Sequence, residues 1–129
     1  MKKQLSQDPF DFLNNESQIN IDSATLTATN AFMEIIKKKY PTDGAILFGS
    51  RARQTHQNDS DADVLVLLRG PKEVDMETKF TMADIAFDIL MNTGVLITPV
   101  PILIESWMHP ENYSNPSLLR NIRNEGVRL

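Results

Sequence analysis

Three aspartates at alternate positions, Asp59, Asp61 and Asp63, run straight into the unbroken apolar stretch Val64-Leu65-Val66-Leu67-Leu68. An apolar run of this length, closed by Gly70-Pro71, reads as a buried strand. Side chains alternate across a strand, so Asp61 and Asp63 project from one face, about 7 Å apart along the chain. Two carboxylates facing one way beside an apolar core repel each other unless a cation lies between them.

A second short apolar segment, Ala45-Ile46-Leu47-Phe48, precedes that strand and breaks at Gly49-Ser50. Gly49 lets backbone approach a phosphate closely, and Ser50 offers a hydroxyl and an amide. A helical turn begun at Ser50-Arg51-Ala52-Arg53 would present free N–H groups to an anion, with Arg51 and Arg53 as charged auxiliaries. Mg²⁺ suits the carboxylate pair, because it takes hard oxygen ligands and is commonly held by one or two carboxylates plus substrate phosphates. One strand end then grips phosphates while its neighbour carries the metal that neutralises them. The D-x-D-x-D pattern also begins a calcium loop, but Val64 stands at that loop's glycine position and Gly70 at its terminal glutamate, so that reading fails.

Around this centre, the chain reads as helix, strand, strand, helix, strand, helix, an α/β or α+β domain over residues 22–129. Asp22 or Ser23 caps a first helix running to Lys39, with Ala28, Ala31, Phe32, Ile35 and Ile36 at helical spacing and Pro41 beyond it. From about Val74 to Met91, the spacing of Met76, Phe80, Ala83, Phe87 and Leu90 predicts one apolar helix face, with Glu77, Asp84 and Asp88 in solvent. Asn92-Thr93-Gly94 ends that helix. A third strand is expected at Val95 to Ile97, with Ile102 to Ile104 extending or bulging it, and Pro99 and Pro101 give it an edge or kinked position. Asn115-Pro116 and Gly126 bracket a last helix. Residues 1–21 are polar and read as an extension outside the core, either disordered or anchored by Phe10, Phe12 and Leu13.

Bulk properties narrow the possible functions. A chain of 129 residues, 41% hydrophobic and 23% charged, suits one folded domain. A net charge of −4 argues against a general nucleic-acid-binding surface. The absence of cysteine removes disulfides, thiolate catalysis and thiolate metal sites. With no apolar stretch near the roughly 20 residues of a membrane span, and no apolar segment after Met1-Lys2-Lys3, a cytoplasmic location away from membranes is expected. His56 reads as an exposed loop residue near the phosphate site, and His109 has no partner at metal-ligand spacing. Trp107, Met108 and Tyr113 read either as a partner-binding patch or as ordinary packing, and Arg120 and Arg123 as solvated.

The segment FGSRARQTHQNDSDADVLVLL resembles the active-site signature of the nucleotidyltransferase superfamily related to DNA polymerase beta. Within it, residues 25 to 129 are similar to the minimal nucleotidyltransferases, small prokaryotic proteins paired with a HEPN-domain partner as toxin–antitoxin systems. The ending RNIRNEGVRL fits as well. That resemblance implies a nucleotidyltransferase fold with a small mixed sheet flanked by helices, ATP or another NTP as donor, and Mg²⁺. It further implies that Gly49 and Ser50 contact triphosphate, that Asp61 and Asp63 are the catalytic metal ligands, and that AMP is transferred to a tyrosine of the partner toxin. The superfamily's third carboxylate, sought in the strand after the second helix, is missing at Val95, Leu96 and Ile97; Glu105 lies further on and reads either as a surface residue or as a side chain that swings in as the substitute. Three functions therefore remain open: an enzyme modifying a partner protein, a catalytically weak nucleotide-binding antitoxin acting by contact, and a transferase for a small molecule.

Overall fold

The apolar run becomes the middle of a four-stranded sheet in a computed structural model, which describes residues 10, 21–70 and 73–129. The elements are α1 (Ser23–Lys39), β1 (Thr42–Phe48), α2 (Ser50–Arg53), β2 (Ala62–Leu68), α3 (Met76–Thr93), β3 (Ile97–Leu103), α4 (Ile104–Met108), α5 (Pro116–Glu125) and β4 (Val127–Arg128). Strand order is β3-β2-β1-β4. β1 runs antiparallel to both β2 and β4, while β2 and β3 are parallel and joined by the α3 crossover. This is a mixed sheet flanked by helices, the expected fold class.

β2 is apolar on consecutive residues because both of its faces are covered. Val64, Val66 and Leu68 pack with Ala45 and Leu47 beneath α1 and α3, against Phe32, Ile36, Met82 and Ile89. Leu65 and Leu67 face the other layer, with Ile46, Ile102, Trp107, Leu119 and Ile122. Trp107 is fully buried, with the Arg123 guanidinium 4.9 Å from its ring centre and donating to its carbonyl. Ordinary packing is thus the outcome for Trp107, and Arg123 is not a solvated residue. Phe10 is buried in the same layer, its ring beneath Gly44 and under the Arg128 guanidinium. The expectations for Phe12 and Leu13 lie outside the described residues.

The helix ends follow their caps. Asp22 accepts from the Thr25 amide at 3.1 Å, Asp75 from that of Thr78 at 2.8 Å, and Asn115 from that of Leu118 at 3.3 Å. Two expectations need correction. The third strand is continuous from Ile97 to Leu103 through both prolines. Its edge position makes this possible, since an amide missing from the outer side of an edge strand leaves no sheet partner unbonded. α3 buries Met82, Ile85, Ala86 and Ile89, whereas Met76, Phe80 and Phe87 point to solvent. Both sets recur at helical spacing, so periodicity alone does not choose between them.

Trp107→Ala is expected to cost about 3–5 kcal/mol, because it empties the centre of the lower layer. A urea titration followed by far-UV circular dichroism would register this as a lowered midpoint with an unchanged slope.

Candidate functional site

Chain direction brings the end of β1 and the start of β2 together, because an antiparallel pair sets the last residue of one strand against the first of the other. Phe48 is the register partner of Asp63. Immediately after Phe48 the chain turns at Gly49, with φ +77° and ψ −158°, into the single turn α2. A Cβ on Gly49 would lie 2.3 Å from Asp63 Oδ2. Glycine is therefore required twice over, by a positive φ and by the carboxylate against its backbone. Ser50, partly exposed, opens α2, and Gln54 ends it in the left-handed conformation.

Asp61 stands just before β2, exposed, and its Oδ2 accepts from the Thr98 hydroxyl at 2.9 Å. Thr98 lies on β3 level with Asp63. The position beside Asp63 is therefore filled by Thr98, one residue beyond the segment where the sequence directed the search. Burial pushes the Asp63 carboxyl above its usual range, and the like charges of Asp61 and Glu125 add to this while Arg53 opposes it.

The two arginines have different surroundings. Arg51 is buried and turned inward: Nε donates to the Ser60 carbonyl at 2.9 Å, Nη1 to the Thr25 hydroxyl at 2.9 Å and Nη2 to the Asn58 carbonyl at 3.2 Å. It ties α1, α2 and the loop before β2 together, and so sets where Asp61 and Asp63 emerge. Arg53 is exposed, and its Nη1 donates to both Glu125 oxygens at 3.0 and 2.9 Å. Glu125 Oε1 also accepts from the Gly49 amide at 3.3 Å.

Thus a carboxylate from the last helix rests on the backbone amide that the sequence offered to phosphate. Sequence reasoning passed over Glu125, although it carries a signal. An acid at the C-terminal end of a helix opposes the macrodipole and needs compensation from elsewhere. Here Arg53 and the Gly49 amide supply it.

Other residues singled out in the sequence fall outside this cluster. Glu105, on α4, follows the far end of β3, which lies roughly 17 Å along the strand from the level of Asp63. Its side chain is exposed and faces His109 at 3.5 Å. His56 is partly buried, with Nε2 3.3 Å from Asp22 Oδ1, rather than exposed in its loop. Among the described residues, no three His, Cys, Asp or Glu side chains are grouped closely enough to hold a metal. Two neighbouring carboxylates of like charge, one bonded to a hydroxyl and the other only partly offset by Arg53, do fit a divalent cation that completes its shell with phosphate and water.

Comparison with known proteins places the chain. The sequence profile of the nucleotidyltransferase domain family matches residues 30–127, and the chain belongs to that family. It is similar in structure to a candidate nucleotidyltransferase from Sulfolobus solfataricus, with a TM-score of 0.51 and 18% identity over 88% of this chain and 82% of the other. It is also similar to a chain of a toxin–antitoxin structure containing AMP-PNP, with a TM-score of 0.54 and 20% identity over 77% of this chain and 69% of the other. At these identities the likeness establishes the fold. No curated protein matches the sequence. No described helix is long and apolar enough to cross a membrane.

Asp63 supplies a pH test. A carboxyl whose pKa is raised on folding destabilises the native state while it is charged, and this penalty fades as pH falls through the raised value toward the ordinary 3.8. Asp63→Asn is therefore expected to melt above wild type at pH 7, with the difference shrinking as the buffer approaches pH 4. Scanning calorimetry at stepped pH would show it, and equal melting temperatures at pH 7 would contradict the assignment.

Proposed function

We propose that the protein is a Mg²⁺-dependent nucleotidyltransferase that moves an NMP group from ATP or another NTP to a hydroxyl of a partner protein. The observation that carries this reading is the placement of Asp63 against a glycine that opens a helical turn, with Asp61 alongside. Gly49 and Ser50 take the triphosphate, and Arg53 swings from Glu125 to the phosphates. Asp61 and Asp63 hold Mg²⁺, which when bound neutralises phosphate charge during transfer. The acceptor oxygen bonds to the α-phosphorus, the bond from that phosphorus to the bridging oxygen breaks, pyrophosphate leaves, and the hydroxyl proton passes to solvent. Arg51 holds the loop that presents both carboxylates.

The similarity to a toxin–antitoxin chain supports a toxin as the partner, and the resemblance to minimal nucleotidyltransferases supports a HEPN-domain protein of the cytoplasm with a tyrosine acceptor. A second reading has one observation in its favour. Thr98 rather than an acid stands level with Asp63. On that reading, the protein binds nucleotide and silences its toxin by contact with little turnover.

Label from α-³²P-ATP with Mg²⁺ is expected on the partner protein with wild type and absent with the Asp61→Asn, Asp63→Asn double variant. Co-purification of the partner without any label, while ATP still binds, would favour the second reading. Because the Glu125 carboxylate rests on the Gly49 amide, Glu125→Gln is expected to bind ATP about tenfold tighter by calorimetry. Weaker binding would show instead that Glu125 holds Arg53 in place for the nucleotide.

A further inference from the structure

α3 carries an outer apolar stripe that no described residue covers. Met76, Phe80, Ala83, Phe87 and Leu90 recur at intervals of four, three, four and three, which is the 3.5-residue period of a helix–helix seam. Phe80 is 62% exposed and Phe87 56%, with Met76 at 58% and Met91 at 63%. Leu90 is partly buried, forming the border with the inner face. Two phenylalanines and two methionines held in water on one rigid helix form a contiguous apolar patch of the kind that marks a protein interface. A loop or an extended strand does not match the period, whereas a second amphipathic helix does.

The margin of the stripe narrows the occupant further. Glu77, Asp84 and Asp88 are exposed and fall along one side of it at helical spacing. A second copy laid antiparallel would set this acidic margin against itself, and the whole chain carries a net charge of −4. The complementary partner presents lysines or arginines beside its own apolar seam. The position of the stripe also relates it to the site. From the C-terminal end of α3 the chain passes through Leu96, itself 37% exposed, whose carbonyl accepts from the Ala62 amide at 2.8 Å. Ala62 stands between Asp61 and Asp63, so the Met91 end of the stripe lies at the carboxylate end of the sheet.

We propose that the outer face of α3 docks an amphipathic helix of the acceptor protein, apolar along a heptad-spaced seam and basic on the side facing Glu77, Asp84 and Asp88. This rests on the reading of the protein as one that engages a protein acceptor. The seated helix holds the partner at the end of the sheet where Asp61 and Asp63 emerge.

The test uses the full-length protein and two synthetic amphipathic helices of about three heptads, both with leucine at the seam positions. One carries lysine along its margins and the other glutamate, and binding is read by fluorescence anisotropy without nucleotide. The lysine peptide is expected to bind at least about tenfold tighter than the glutamate peptide. Phe80→Glu combined with Phe87→Glu should abolish its binding, as should the milder Phe80→Ser with Phe87→Ser, with wild-type melting temperature and ATP affinity in both. Replacing Glu77, Asp84 and Asp88 by their amides should bring the two peptides together. Failure of wild type to bind the lysine peptide, equal binding of both, or binding unaffected by the phenylalanine changes would each overturn the proposal. A wild-type dimer in light scattering that these changes convert to monomer would assign the face to a second copy instead. Loss of ATP binding or of label transfer in wild type bears on the proposed activity and leaves the peptide result readable on its own.

Discussion

The close approach of the Asp63 carboxylate to the Gly49 backbone is the contact around which the site is arranged. It exists only because residue 49 lacks a Cβ, and it fixes the turn into α2 relative to the first residues of β2. The cost is electrostatic. Burial raises the Asp63 pKa, and the like charges of Asp61 and Glu125 at the same end of the sheet raise it further. On the proposed function, a cation bound there would offset this repulsion.

The two layers of the fold divide the work. The layer of α1 and α3 buries one face of the sheet, and Arg51 reaches from α2 to Thr25 on α1, so the loop before β2 is anchored to that layer. The layer of α4 and α5 buries the other face and delivers Glu125, at the end of α5, to the Gly49 amide and Arg53. The site is thus assembled at one end of the sheet from strand ends, a single helical turn and the last helix. Its charged residues are compensated by one another across large sequence separations: Arg53 and Glu125 are 72 residues apart.

Much of this was legible because local chemistry and tertiary role coincide. The caps Asp22 and Asn115, the central strand and the break at Gly49-Ser50 all follow from residues whose local preference agrees with their final place. Reading failed where two placements were locally equivalent. α3 has apolar residues on two faces, and only the shape of the sheet beneath it decides that Met82, Ile85 and Ile89 turn inward while Phe80 and Phe87 remain outside. The prolines of β3 correctly indicated an edge, but not that the strand continues through both of them, which it does because the ladder to β2 stays intact.

By itself, the sequence determined the order of the main elements, the burial of residues 64–68, the break at Gly49-Ser50 and the paired aspartates where the second strand begins. These depend on backbone sterics and on periodicities of two and 3.6, which act over a few residues. Only the tertiary structure decided that Thr98 stands level with Asp63, that Arg51 faces inward while Arg53 faces Glu125, and that α3 keeps an apolar face in water. Those outcomes depend on strand register and on which layers meet across the sheet, and such distances between remote residues are set by packing rather than by local preference.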